Sequence, residues 1–307
     1  MMTKAVTLGA DVVILDLEDA VVASQKGEAR RHVAEALNTV DFGRSARAVR
    51  INAPGTPWAH DDVIELVEAA GTQIDLIIIP KVAAPRDVWF VDTLLSELEA
   101  KLGLTNRIGL ELLIEEAQGL SRVEEIAACC ERTEALVLGF GDLAASLGMR
   151  LDEFAGDDPD DPVEDAYAYP GDIWHAARSR LVAAARANGL DPVEGPYLDF
   201  ANTDGLRREA RRAAAMGYVG KWAIHPNQID IAKTVFAPTA REIARARAAI
   251  DAMNESQEAG VGAAGVGGMM LDAATSRMFQ QVLDRAASAE GGFPAISSRP
   301  LNTTPAD

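Results

Sequence analysis

Two acidic residues stand where acids are expensive. Glu115 closes the apolar run Leu110–Ile114, and Asp142 follows Ala135–Leu138 after a short Gly139-Phe140-Gly141 turn. A carboxylate at a buried strand end costs free energy unless something offsets its charge. Neither has an arginine beside it in sequence, so the pair suggests a hard cation taking oxygen ligands. Magnesium typically uses one or two carboxylates and fills its remaining positions with substrate and water. On spacing alone, two separate structural salt bridges would account for the pair equally well. The cluster Asp16, Glu18 and Asp19 adds three carboxylates at another strand end. Such a rim repels itself unless a cation or basic side chains intervene, and these acids suit a place around metal-bound water. Asp19 alone could equally cap a loop. Arg50 offers a planar fork for a carboxylate or a developing oxyanion. Lys81, after Pro80, offers a point charge to substrate, the amine of a Schiff-base aldolase, or a salt bridge to the rim acids. Backbone N–H groups of Gly139, Phe140 and Gly141, opening a helix, would suit a small carboxylate on the substrate.

Something must bring these residues to one place. Apolar runs at 11–17, 46–51, 75–79, 107–114, 134–138, 190–194 and 220–224 read as strands buried on both faces. Amphipathic stretches at 25–37, 58–70, 88–102, 120–130 and 174–188 read as helices between them. Strand–helix alternation predicts a parallel α/β fold, and polar residues end nearly every strand: Asp16, Arg50, Lys81, Glu115, Asp142, Glu194 and His225. A (β/α)8 TIM barrel collects its active site in that way, whereas a doubly wound sheet concentrates it at one switch point. The count is seven units, so the barrel is expected to lack its first strand or to close otherwise. The division expected is a barrel over residues 1–236, a C-terminal helical lid over 237–287 and a disordered tail over 288–307. Gly260–Gly268 reads as a flexible hinge, Leu151–Ala166 as an acidic surface loop, and Arg207, Arg208, Arg211 and Arg212 as a solvated helix face.

A net charge of −18 over 307 residues argues against nucleic acid and membrane surfaces as partners. No apolar run approaches a membrane span or a secretory leader, and the two adjacent cysteines, Cys129 and Cys130, lack metal spacing, so a cytoplasmic location is expected.

Six ordered motifs carry a resemblance. DLEDAV at 16–21 with Lys26 and Arg30 after it, RIN at 50–52, PKV at 80–82, LIEEAQGL at 113–120, GFGDLAASLG at 139–148 and GKWAIHPNQI at 220–229 resemble the citrate lyase β-subunit-like enzymes of the HpcH/HpaI aldolase superfamily. Within that group the chain is most similar to malyl-CoA/β-methylmalyl-CoA lyases. The resemblance implies a magnesium-dependent TIM-barrel CoA-ester lyase, manganese being an admissible substitute, assembled as a homotrimer or hexamer. It places Glu115 and Asp142 on the metal, Arg50 on the substrate oxygens, and Asp272 in a neighbouring subunit's site. Lys26 and Arg30 are its candidates for CoA. The family's first strand, an Arg-Ser-x-Leu-type segment, has no counterpart here. The reaction implied is a reversible Claisen-type cleavage of a malyl-, methylmalyl- or citramalyl-CoA-like thioester to a 2-oxoacid and an acyl-CoA. Rival readings are a metal-dependent aldolase on free hydroxy-2-oxoacids, a malyl-CoA thioesterase, and an inactive ligand-binding or scaffold subunit.

Overall fold

The computed structural model describes residues 5–149, 172–258, 260, 263–266 and 269–291. The acidic stretch 151–166 and residues 292–307 lie outside them. Seven strands form one parallel sheet in sequence order, the curled arrangement of a TIM-type barrel. They are β1 (Val12–Asp16), β2 (Ala46–Arg50), β3 (Leu76–Ile79), β4 (Gly109–Ile114), β5 (Thr133–Leu138), β6 (Asp191–Glu194) and β7 (Gly220–Lys221). Each pairs with the next, and among the described residues β7 and β1 end the sheet. The helices between them are α1 (Lys26–Thr39), α2 (Ala59–Ala70), α3 (Pro85–Leu102), α4 (Ala117–Ser121), α5 (Val123–Ala127), α6 (Phe140–Leu147), α7 (His175–Ala187) and α8 (Thr203–Met216).

Alternation along each strand sorts side chains into two layers. Val13, Leu15, Val49, Ile77, Leu110, Leu112 and Ile114 face outward into the main core with the helices' apolar faces. Val12, Ile14, Ala48, Leu76 and Ile78 face the lumen, where Trp222 packs on them. Every residue of β3 and β4 is buried, as a strand covered on both faces requires. Each fully buried Leu or Ile contributes roughly 1.5–3 kcal/mol.

The expected single helix over 120–130 is instead α4 and α5, broken at Arg122. Gly119 explains the crowding: a Cβ there would lie 2.1 Å from the Val82 carbonyl oxygen, so the chain runs hard against the loop after β3. The seventh strand is two residues long rather than five. After α9 (Pro226–Phe236) and α10 (Ala240–Glu258), part of the expected hinge forms the antiparallel hairpin β8 (Ala264–Val266) and β9 (Met269–Leu271), followed by α11 (Ala273–Gly291). Ala249, Met253 and Leu271, with Phe279 against them, make a separate small core for this extension. The arginines of α8 lie on a partly solvated face: Arg207 pairs with exposed Asp204, and Arg212 lies 3.5 Å from Asp172. No helix among the described residues is long and apolar enough to cross a membrane.

Candidate active site at the strand ends

Register places Asp16 of β1 directly beside Arg50 of β2. Two parallel bonds join them, Nε to Oδ1 at 2.8 Å and Nη2 to Oδ2 at 2.6 Å. Burial opposes ionisation of Asp16, but this fork and the backbone N–H groups of Glu18 and Ala20 hold its carboxyl below the usual range. Arg50 Nη1 lies 3.0 Å from Glu18 Oε2 without hydrogen-bond alignment, so that buried oxygen is left short of a donor. Glu18 is pushed upward, chiefly by burial.

Lys81 sits in the left-handed region at φ 51°, alone in this among the described non-glycine residues. A lysine there costs of order 1–3 kcal/mol, which its surroundings must offset. The turn lets one residue serve two strands. Its N–H donates to Glu115 Oε1 at 2.9 Å, while its Nζ reaches Glu18 Oε1 at 2.6 Å, Asp19 Oδ1 at 3.3 Å and Asp142 Oδ1 at 3.7 Å. Burial would lower an amine's pKa, yet these carboxylates raise that of Lys81. It therefore stays an ammonium, the wrong form for a Schiff-base nucleophile.

Glu115 is buried just beyond β4. Burial, with the negative charges of Glu18 and Asp142, pushes its carboxyl up to about 8 against an ordinary 4.5. Gly139 lies against it: a Cβ would meet Glu115 Cβ at 2.7 Å and Oε2 at 2.8 Å, so only glycine lets the turn approach this closely. Gly139 precedes α6, with Phe140 and Gly141 in the first turn, which carries Asp142 to the rim. The Gly139 N–H is already given to the Ile114 carbonyl at 3.1 Å, which corrects the expectation that it binds substrate. Phe140 is anchored from below, its ring 4.9 Å from Arg178 Cζ and 5.9 Å from Lys221 Nζ.

The cluster thus gathers five carboxylates (Asp16, Glu18, Asp19, Glu115, Asp142) around two cationic side chains (Arg50, Lys81), a surplus of three acids. Among the described residues, no group of three or more His, Cys, Asp or Glu is arranged to hold a metal unaided. A site of two hard carboxylates with an under-bonded third nearby fits magnesium, which keeps positions for water and substrate. The donor set contains no thiolate or imidazole that would favour a softer ion.

Three expectations fare differently. Lys26 is buried, with Nζ donating to the carbonyls of Leu17 and Glu18 at 2.7 Å each. Arg30 is buried against Asp62 at 2.9 Å and Glu65 at 2.8 Å. Both are occupied in ordering the loops after β1 and β2, and neither is carried forward as a CoA contact. Asp272 caps α11, accepting the Thr275 N–H at 2.8 Å, and lies exposed on the extension. Those bonds hold its carboxyl below the usual range. Sequence reasoning missed Glu111 and Trp222, whose indole donates to Glu111 Oε1 at 3.0 Å, and the buried network of Arg178 with Glu194, Glu209 and Asp172. An acid inside the run GLELLI was the available signal for Glu111.

Residues 1–226 match the profile of the HpcH/HpaI aldolase/citrate lyase family. The chain is 40% identical to the L-malyl-CoA/β-methylmalyl-CoA lyase of Cereibacter sphaeroides (strain ATCC 17025 / ATH 2.4.3), over 93% of this chain and 90% of that one. It is 37% identical to the malyl-CoA/β-methylmalyl-CoA/citramalyl-CoA lyase of Chloroflexus aurantiacus, over 90% and 80% respectively. Among solved structures, CitE of Mycobacterium tuberculosis in complex with magnesium, acetoacetate and coenzyme A superposes with a TM-score of 0.68 at 29% identity, covering 92% of each chain.

Proposed function

Because this chain belongs to the HpcH/HpaI aldolase/citrate lyase family, we propose that it is a magnesium-dependent CoA-ester lyase. It would cleave a malyl-CoA-like thioester reversibly to a 2-oxoacid and an acyl-CoA. The observation that carries this reading is the surplus of acids at one rim, with Glu115 held near 8 by burial and like charge. Such a group is poised to take a cation in place of its proton. Glu115 and Asp142 would hold magnesium, or manganese in its place, with Glu18 beside them. When bound, the ion supplies Lewis-acid polarisation of the substrate's hydroxyl and carboxylate oxygens.

The chain's own groups do the rest. Asp16 fixes the Arg50 guanidinium at the rim, where it stabilises the negative charge that develops on the thioester oxygen as the carbon–carbon bond breaks. Lys81 keeps Glu18, Asp19 and Asp142 together despite their repulsion. The first turn of α6, at Phe140 and Gly141, presents a helix N-terminus to the 2-oxoacid carboxylate. Asp272, supplied by a neighbouring subunit of a trimer or hexamer, exchanges the proton at the acyl α-carbon. Being ionised as a cap, it is ready to accept that proton in the condensing direction, and it must carry one in the cleaving direction.

Purified protein given malyl-CoA and magnesium should release glyoxylate and acetyl-CoA. A thioesterase would instead release malate and free CoA. Activity should vanish in EDTA and in folded Glu115→Ala protein. Undiminished cleavage in either case sinks the proposal.

A further inference from the structure

Beneath the rim the lumen holds a bond that the reaction scheme does not use. Glu111, on β4 between Ile78 of β3 and Ala135 of β5, is buried, and Trp222, one residue past β7, gives its indole N–H to Glu111 Oε1 at 3.0 Å. β4 lies in the middle of the sheet and β7 at its end, so this bond crosses the barrel from wall to wall. The indole packs on Ala48, Leu76 and Ile78. Its ring lies 5.9 Å from the Arg50 guanidinium carbon.

A carboxyl here runs against the local economy of burial. Leucine would fill the space without the desolvation penalty that a polar group bears in apolar surroundings. Burial pushes Glu111 up to about 7, and the indole N–H partly offsets it. The backbone around Trp222 is tied to β6, its own N–H reaching the Glu194 carbonyl at 2.8 Å, but the indole extends from a strand paired at only two positions, and its N–H is bonded to Glu111. Without an acceptor opposite, the indole would lose the contact that fixes its ring plane.

We infer that Glu111 and Trp222 are positioning residues: their bond across the lumen fixes the indole as the floor under Arg50. The floor sets the height at which that guanidinium meets the substrate. This inference rests on the lyase reading only where turnover is the readout. Arg50 contacts the indole by its face, while Asp16 and Glu18 hold the guanidinium from the rim, so the side chain is gripped from two sides.

The test uses the full chain with Glu111→Gln, Glu111→Leu and Trp222→Phe. Gln keeps an acceptor, Leu removes it, and Phe keeps most of the floor while removing the N–H. Two readouts are taken: kcat and KM for malyl-CoA cleavage, and the NMR signals of the four indole N–H groups and of the Arg50 Nε–H. Glu111→Leu and Trp222→Phe are each expected to lower kcat/KM about 10- to 100-fold, as small misplacements at reacting centres do, mainly through kcat. Glu111→Gln should stay within about threefold of the parent, because the net value of one neutral hydrogen bond is preserved. The double variant should be no worse than either single one, since both cut the same bond. In both damaging variants one indole signal should move or broaden together with the Arg50 signal. The inference is overturned if Glu111→Leu or Trp222→Phe leaves the Arg50 signal and kcat/KM at parental values. It is likewise overturned if the two effects multiply, or if Glu111→Gln is as impaired as Glu111→Leu. Should Glu111→Leu fail to fold, Trp222→Phe decides. An inactive parent protein would sink the lyase reading while the NMR comparison still judges the cross-lumen bond.

Discussion

Replacing Glu115 by Gln should make the metal-free protein more stable, and the gain should grow with pH. In the folded chain this carboxyl titrates near 8, against an ordinary 4.5. Between those values the folded state keeps a proton that the unfolded state has released, so stability falls as pH climbs from about 4.5 to about 8 and then levels off. One pH unit within that window is worth roughly 1.4 kcal/mol. Raising the pH from 5 to 8 therefore costs the parent about 3.5 kcal/mol at this one site. Gln has no such proton to lose, and it can still accept the Lys81 N–H that Glu115 Oε1 takes at 2.9 Å. Urea unfolding in EDTA at pH 5 should find the two proteins within about 1 kcal/mol, with Glu115→Gln ahead by about 3–4 kcal/mol at pH 8. Magnesium should then stabilise the parent and leave the variant unmoved, the trade of stability for function common at active sites. A variant no more stable than its parent at pH 8 would mean that Glu115 is not under electrostatic strain, and the case for a cation there would lose its main support.

Other outcomes follow from the same geometry. Gly139→Ala must place a Cβ 2.7 Å from Glu115 Cβ, and should cost about 1–3 kcal/mol in thermal unfolding while weakening magnesium binding by calorimetry. Arg50→Lys loses the paired bonds to Asp16, and kcat/KM for the thioester should fall at least about 100-fold with little change in Tm. Arg178→Met leaves the wholly buried Glu194 without its 2.6 Å partner and should cost about 3–5 kcal/mol in denaturant unfolding.

The barrel was legible because its code is coarse. Five- to eight-residue runs, nearly all with a polar residue at or just beyond the end, need no knowledge of partners, and all seven strands lie where those runs predict. The rim was legible for the same reason: Asp16, Arg50, Lys81, Glu115 and Asp142 are polar residues at the ends of apolar runs. What failed was whatever depended on how near two distant segments come. Lys26 and Arg30 were candidates for CoA, but Lys26 turns back to carbonyls eight and nine residues earlier, and Arg30 finds Asp62 thirty-two residues on. Gly139 looked like an amide donor and is a point of close approach. The close approach of Gly119 to the backbone oxygen of Val82, just before the break at Arg122, is likewise something no periodicity records. The Glu111–Trp222 bond joins residues 111 positions apart, beyond any local pattern.

The outward and inward sorting on β4 has an evolutionary corollary. Leu110, Leu112 and Ile114 belong to the layer shared with the helices, while Glu111 and then Glu115 belong to the bore. Deleting one residue upstream within this strand would exchange the two sets, swinging acids into oil and leucines into the reaction chamber. A point substitution along β4 disturbs one side chain; a change in its length disturbs them all. Homologues of this chain should therefore hold the spacing of this strand constant.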